Sequence, residues 1–294
     1  MLISIVFSFR NEEKVLPELV RRVDNVFKEH LKRYEYELIF VNDESTDRSF
    51  EILMGLREKN KNIKIINMAR RFGVTPCVLA GFSEAKGEAV IYMDADLQDP
   101  PELIPELTEK WEEGAEVVHT IRTKRHGENF LKLWLTKKAY KIINYISDIE
   151  LHENAGDFKL LSRRVVDEIL RLKESDPYMR GISRWVGFKQ AEVFYERDAR
   201  FAGESKFRLF NSLNPYREFV RGITSFSSLP LYFALFFGFF VSAISFIYVV
   251  VVIITKFLEM NLPGWSAIMA ATLFLGGTIL FTIGVLGIYL GKIY

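Results

Sequence analysis

Hydrophobic and polar positions are arranged in two unlike ways along this 294-residue chain. Up to about residue 221, short apolar runs alternate with amphipathic stretches. Residues 2–9 and 36–41 read as strands, and a helical period runs between them from about Glu12 to Arg33. Further strands are expected at 63–68, 88–93 and 115–121, with helical patterns at 46–59, 75–86 and 102–112. Strand and helix alternate with short connections, which predicts an α/β layer with a mainly parallel sheet. In such sheets ligands bind beyond the carboxyl ends of the strands, so chemistry is expected just after them.

Beyond that point the pattern changes. From Gly222 to Thr255, and again from Met260 to Gly291, no residue other than Tyr is ionisable. Each run exceeds the roughly 20 apolar residues that a spanning helix needs. A buried helical hairpin of a soluble core is the alternative, but globular helices of this length ordinarily keep a polar face. The joining segment is short, so the two spans form an antiparallel hairpin. Arg217 and Arg221 precede the first span and Lys292 follows the second, while the loop between carries Lys256 offset by Glu259. The positive-inside asymmetry puts the N-terminal part in the cytoplasm, in a prokaryotic plasma membrane. Met1 to Phe9 lacks a basic leader and is too short for a signal peptide. Gly287 and Gly291 form a small-x-x-x-small pair, suited to packing within the hairpin or between subunits of a homo-oligomer.

Composition hides this division. The chain is 49% hydrophobic and 26% charged, which excludes disorder, and its 39 basic and 38 acidic residues leave a net charge of +1, which argues against a nucleic-acid partner. Only Lys256, Glu259 and Lys292 carry charge after Arg221, so the charge balance belongs to the first three quarters of the chain. One cysteine, Cys77, makes no intrachain disulfide and fits a reducing compartment. His30, His119, His126 and His152 lack metal-ligand spacing, and no Gly-x-Gly-x-x-Gly or P-loop motif occurs.

Three carboxylate groups follow strand-like runs. In Ala89-Val90-Ile91-Tyr92-Met93-Asp94-Ala95-Asp96-Leu97-Gln98-Asp99-Pro100-Pro101, an apolar run leads into two aspartates one residue apart. Side chains two apart in an extended segment share a side, so both could face one hard cation such as Mg²⁺ or Mn²⁺. The plainer reading is a turn in which Asp99 caps the following helix. In Asn42-Asp43-Glu44-Ser45-Thr46-Asp47, Ser45 or Thr46 would cap a helix and Asp47 would favour its dipole, which leaves Asp43 for other work. The third group is Asn154-Ala155-Gly156-Asp157-Phe158, where Asp157 taken alone is a turn residue.

Their order is what distinguishes them. Asn11-Glu12-Glu13, Asn42 to Asp47, Asp94-Ala95-Asp96, Gly156-Asp157-Phe158 and a two-helix tail together resemble the inverting glycosyltransferases of family 2. Within these the chain is similar to the polyprenyl-phosphate sugar transferases, including Phe201-Ala202-Gly203-Glu204-Ser205-Lys206 and the end Tyr289 to Tyr294. The resemblance implies a GT-A nucleotide-sugar-binding domain over 1–200, a juxtamembrane amphipathic segment over 201–226, and a tail over 227–294 with spans at about 229–255 and 263–291. It assigns Ser8, Arg10, Asn11, Glu12, Asp43, Gly73, Asp94, Ala95, Asp96 and Gln98 to the nucleotide-sugar. It also makes Asp94 and Asp96 the holders of Mg²⁺ or Mn²⁺ and of the diphosphate, with Asp157 at the sugar and acceptor.

Arg122, Arg125, Arg200, Ser205 and Lys206 are the expected binders of the acceptor phosphate; Arg122 and Arg200 match family positions, and a guanidinium grips phosphate bidentately. Amphipathic stretches at 129–146 and 206–220 would lie on the bilayer. Where the family commonly has Pro, Tyr, Gly and Lys, this chain has Ser8, Arg10, Glu44 and Val74, all at the nucleotide end. The implied activity moves one sugar, glucose from UDP-glucose, to polyprenyl phosphate. The alternatives are a mannosyl donor, a processive polysaccharide synthase and a non-catalytic membrane adaptor. Gly181-Ile182-Ser183-Arg184-Trp185 keeps the Arg-Trp of the processive signature but has Gly where Gln belongs, and four intact aspartates argue against an adaptor.

Overall fold

The computed structural model describes residues 1–125, 154–172, 177–197, 222–258 and 264–293, with isolated positions at 138, 141, 144, 145 and 220. It divides into two compact units, Met1–Gly222 and Ile223–Tyr294. The first is an α/β layer around a seven-stranded sheet. Its elements are β1 (Leu2–Phe9), α1 (Leu16–Glu29), β2 (Glu35–Asn42), α2 (Ser49–Lys59), β3 (Ile63–Asn67), α3 (Val74–Glu84), β4 (Ala89–Asp94), α4 (Ile104–Glu112), β5 (Val117–Arg125), β6 (Ala155–Ser162), α5 (Arg163–Arg171), α6 (Met179–Trp185) and β7 (Gln190–Arg197). The sheet order is β3-β2-β1-β4-β6-β5-β7.

The mainly parallel sheet is as the alternation of elements implies. Only β6 runs against its neighbours β4 and β5. β1 and β4 are almost continuously buried because both faces of the sheet are covered. On one face Ile3, Ile5, Phe7 and Phe9 join Leu16, Leu19, Val23 and Phe27 of α1 in the core, with Phe7 stacked on Phe40. On the other, α3 lies so close that a Cβ on Gly81 would reach Val6 and Val41.

Several element boundaries differ from the expectation. α1 begins at Leu16 rather than Glu12, with a proline in its first turn, because residues 11–13 bond to the loop after β2 instead. α2 begins at Ser49, and neither Ser45 nor Thr46 caps it. Ser45 Oγ accepts from Asn11 N at 3.0 Å and Thr46 bonds the Asn11 side chain. β5 runs on to Arg125 through a register shift after Arg122.

The second unit holds α7 (Leu229–Phe257) and α8 (Trp265–Ile293). Both contain stretches long and apolar enough to cross a membrane, and side chains such as Phe236, Phe239, Phe246 and Leu280 stand exposed. At 29 residues each helix is about 43 Å long. The pair is antiparallel, since Tyr289 near the end of α8 donates to the carbonyl of Ser227, just before α7, at 2.6 Å. The hydroxyls of Thr255, Thr272, Thr278 and Thr282 each donate to the carbonyl one turn back, so these polar groups are satisfied within their own helices.

The stretches at 129–146 and 206–220 lie almost wholly outside the described residues. At the opposite end of the sheet from the strand exits, Gly87 N donates to Ser4 Oγ at 2.8 Å, and a Cβ there would stand 2.6 Å from Ser4 N and 2.7 Å from the Ala89 carbonyl. Both obstacles are backbone and cannot swing aside. Gly87→Ala is therefore expected to cost about 3 kcal/mol, as overpacking of a filled site does, measured by urea unfolding in detergent.

Candidate active site

The ladder sets the site. Ser8 pairs with Val41 on one side and Asp94 on the other, so β1, β2 and β4 end level with one another. Their exit loops turn at once, each through a non-glycine residue of positive φ: Asn11 at 58°, Glu44 at 56° and Leu97 at 55°. Such backbone costs about 1–2 kcal/mol per residue and persists where surrounding bonds over-determine it. They do so here. Asn11, Glu12 and Glu13 bond to Ser45, Ser49 and Asp47, while Arg10 Nε donates to the Glu44 carbonyl at 3.3 Å.

Asp43 follows β2 and is 6% exposed. Its Oδ1 accepts from Phe72 N at 2.7 Å, and both oxygens accept from Gly73 N, at 3.2 and 3.1 Å. Gly73 makes this turn into α3 with φ at 90°, and Glu44 Oε2 holds the neighbouring Arg71 N at 3.1 Å. Cys77 sits among Asp43 and Ser8, where burial first and then the Asp43 carboxylate push its thiol up to about 12. It stays an inert thiol.

Asp94 is the last residue of β4, and its Oδ1 accepts from Tyr92 OH at 3.2 Å. The chain turns at Ala95, so Asp96 lies in a turn and the strand-alternation argument stops at Asp94. Asp96 is 8% exposed and accepts from Gln98 N at 3.2 Å. Asp99 does not cap a helix. It is fully buried, accepts from Tyr195 OH, and lies 3.4 Å from Arg122 Nη2, while Arg122 Nε donates to Tyr195 OH at 3.0 Å. Burial works against the Arg122 charge, but Asp99 and then Tyr195 outweigh it and hold the guanidinium above its ordinary value.

β6 runs antiparallel to β4, with Tyr92 opposite Lys159. The pairing ends there, two residues short of Asp94 on β4 and of Asp157 on β6, and both carboxylates act on the Tyr92 hydroxyl. Asp157 is gripped by Arg180 of α6, whose Nε and Nη2 donate to its two oxygens at 2.8 and 2.5 Å. Burial would raise the Asp157 pKa, but the charge and fork of Arg180, then Lys159 and Arg122, hold it well below the usual carboxylate range. Lys159, almost fully buried, is lowered to about 8, chiefly by burial, and donates to Ser183 Oγ at 3.1 Å.

The sheet edge thus gathers the expected Ser8, Arg10, Asn11, Glu12, Asp43, Gly73, Asp94, Ala95, Asp96, Gln98, Asp157 and Arg122 on loops and strand ends of one unit. The Arg125 side chain, Arg200, Ser205 and Lys206 lie outside the described residues. Sequence reasoning passed over Tyr92, Lys159, Asp99, Tyr195 and Arg180. Tyr92 and Lys159 carried a signal, since each stands two residues from a chosen aspartate along a strand. Arg180 carried none. Among the described residues no group of three or more His, Cys, Asp or Glu side chains could hold a metal alone. Two neighbouring carboxylates suit a cation that keeps substrate phosphates in its shell.

The first unit is a GT-A-like α/β layer with carboxylates at its strand exits, and its family makes it a glycosyltransferase. Residues 4–170 match the glycosyl transferase family 2 domain, and the chain belongs to that family. It is 43% identical over 292 residues to the uncharacterized glycosyltransferase YkcC of Bacillus subtilis, covering 99% of this chain and 89% of that protein. It is 41% identical over 295 residues to the bactoprenol glucosyl transferase of Shigella phage SfV, covering 100% of this chain and 94% of that one. The solved glucosyl-3-phosphoglycerate synthase of Mycobacterium tuberculosis, in complex with Mn²⁺, UDP-glucose and phosphoglyceric acid, superposes with a TM-score of 0.51 at 16% identity. That match covers 76% of this chain and 77% of that one, and shows the shared fold.

The buried Asp99 allows a test by magnitude. Loss of a helix cap costs about 1 kcal/mol, whereas removing one partner of a buried ion pair costs about 3–5 kcal/mol. Asp99→Ala is expected in the second range and Tyr195→Phe near 1 kcal/mol, read from urea unfolding.

Proposed function

We propose that this enzyme moves one glucose from UDP-glucose to polyprenyl phosphate, with inversion, at the cytoplasmic face of a membrane that α7 and α8 span. The observation that carries this reading is the full-length match: the relatives that bear the bactoprenol name align over the whole chain, apolar tail included. The tail supports it physically, because long apolar helices whose hydroxyls are satisfied internally suit a bilayer, where no water completes a hydrogen bond.

Chemistry supports it as well. A lipid phosphate has a second pKa near 6 and is already ionised at neutral pH, so it needs little help from a base. The demanding parts are the departing nucleoside diphosphate and the approach of two anions. Asp94 and Asp96 would hold Mg²⁺ or Mn²⁺, which as a Lewis acid would neutralise charge on the leaving diphosphate. Asp43, with the Phe72 and Gly73 amides already fixed on it, frames the nucleoside end together with Ser8, Arg10, Asn11 and Glu12. Gly73, Ala95 and Gln98 complete that binding surface. Asp157 orients the sugar and acceptor. Arg122 would supply cationic surroundings for the acceptor phosphate, joined by Arg125, Arg200, Ser205 and Lys206.

Transfer of labelled glucose to polyprenyl phosphate by the purified protein, in detergent with each metal, tests the reading. Asp96→Ala is expected to lower turnover at least about 10²-fold, the scale of losing a group that stabilises transition-state charge, and chelation to abolish it. A labelled polymer in place of a single-sugar lipid would sink the proposal, and Asp157→Asn with near-normal turnover would remove Asp157 from the reaction.

A further inference from the structure

α6 is held to β6 by two polar rungs. Asp157 and Lys159 alternate along the strand and point to the same side, while Arg180 and Ser183 stand one turn apart on the helix. Arg180 forks onto Asp157 and Lys159 donates to Ser183, whose hydroxyl in turn donates to the Arg180 carbonyl at 3.2 Å. The side chains of Arg180 and Asp157 remain 37% and 22% exposed. The pair therefore stands at the accessible margin of the site, near the Tyr92 hydroxyl that also meets Asp94, rather than in the core.

Fork geometry fixes a carboxylate more tightly than a point charge does. Two parallel N–H bonds from one planar group set its plane as well as its position. Each Asp157 oxygen gives one lone pair to Arg180 and keeps another. The directions of the remaining lone pairs, along which a sugar or acceptor hydroxyl can donate, are thus set by Arg180. The aspartate alone, on a rotatable side chain, would not hold them.

We infer that Arg180 is a positioning residue for the transfer reaction: it aims Asp157 at the sugar and acceptor by holding both carboxylate oxygens. This rests on the glucosyl-transfer reading above. It adds a residue 23 positions away in sequence from the one it serves. A purely structural pair would act on stability alone; a positioning pair acts on the rate at saturating substrate.

The test compares full-length wild type, Arg180→Ala, Arg180→Lys, Asp157→Asn and the double variant Asp157→Asn/Arg180→Ala. The assay is glucose transfer from UDP-glucose to polyprenyl phosphate, with unfolding curves recorded in the same detergent. Arg180→Ala is expected to lower kcat about ten-fold or more while the KM for UDP-glucose moves less than about three-fold, as lost orientation does. Arg180→Lys keeps the cation without the fork and should recover part of kcat. With Asp157 already replaced, removing Arg180 should cost less than about two-fold, because the residue acts through that carboxylate.

Wild-type kcat in folded Arg180→Ala would overturn the inference, as would a loss that recurs in full in the Asp157→Asn background. If Arg180→Ala does not fold, Arg180→Lys decides: kcat equal to wild type rejects the role of the fork, and lowered kcat at unchanged KM supports it. A wild type inert with every nucleotide-sugar removes the parent reading and this one together, whereas an active wild type with insensitive Arg180 variants removes this one alone.

Discussion

Three parallel strands that end level with one another set the positions of Ser8, Asp43 and Asp94. Because Ser8 stands between Val41 and Asp94 in the ladder, the loops after β1, β2 and β4 leave the sheet side by side. Each turns through a residue that L-amino acids disfavour, at a combined cost of a few kcal/mol. At the β1 and β2 loops that cost is offset by bonds from one loop to the other, Asn11 to Ser45 and Thr46, Glu12 to Ser49, Glu13 to Asp47, and in the β4 loop Gln98 N donates to Asp96 within the turn. The strain and its compensation lie in the same few residues. A change in the loop after β1 is therefore felt in the loop after β2, and the two behave as one cross-linked surface.

Charge is handled locally. The first unit carries nearly balanced formal charge, so no long-range field draws an anionic substrate to it. Cations there are instead matched to individual carboxylates: the buried Arg122 to Asp99, the partly exposed Arg180 to Asp157. Such pairs add little net stability over apolar packing, and their worth lies in holding geometry. Asp99, a buried group with two partners, does for Arg122 what Arg180 does for Asp157. Both put a side chain with several rotatable bonds into one orientation at the margin of the site.

Much of this could be read in the sequence, for a definite reason. β1, β2 and β4 are buried on both faces and so appear as predominantly apolar runs, interrupted by Ser4 and Glu37, and polar residues mark where each run ends. That located Asp43 and Asp94 without a structure. Capping was misread for the same reason it is attractive: Ser45, Thr46 and Asp99 stand where cap residues stand, but their oxygens were taken by partners distant in sequence. Propensity describes what a side chain does when only its neighbours compete for it. Arg180 shows the limit. Only the antiparallel insertion of β6 beside β4, with α6 packed on it, brings Arg180 to Asp157, and no spacing in the chain announces that.

The pairing also bears on how transfer to a phosphate would proceed. A general base works best with a pKa near the operating pH and with a lone pair free to take the proton. Asp157 fails the first condition, since the Arg180 charge and fork hold its pKa far below that range, although each oxygen keeps a lone pair beyond the one given to the guanidinium. A hydroxyl nucleophile would be poorly served by it. An acceptor that arrives ionised needs no proton removed, and for such an acceptor a carboxylate fixed in place is more useful than one poised to titrate. The restraint on Asp157 therefore suits an orienting carboxylate better than a proton acceptor.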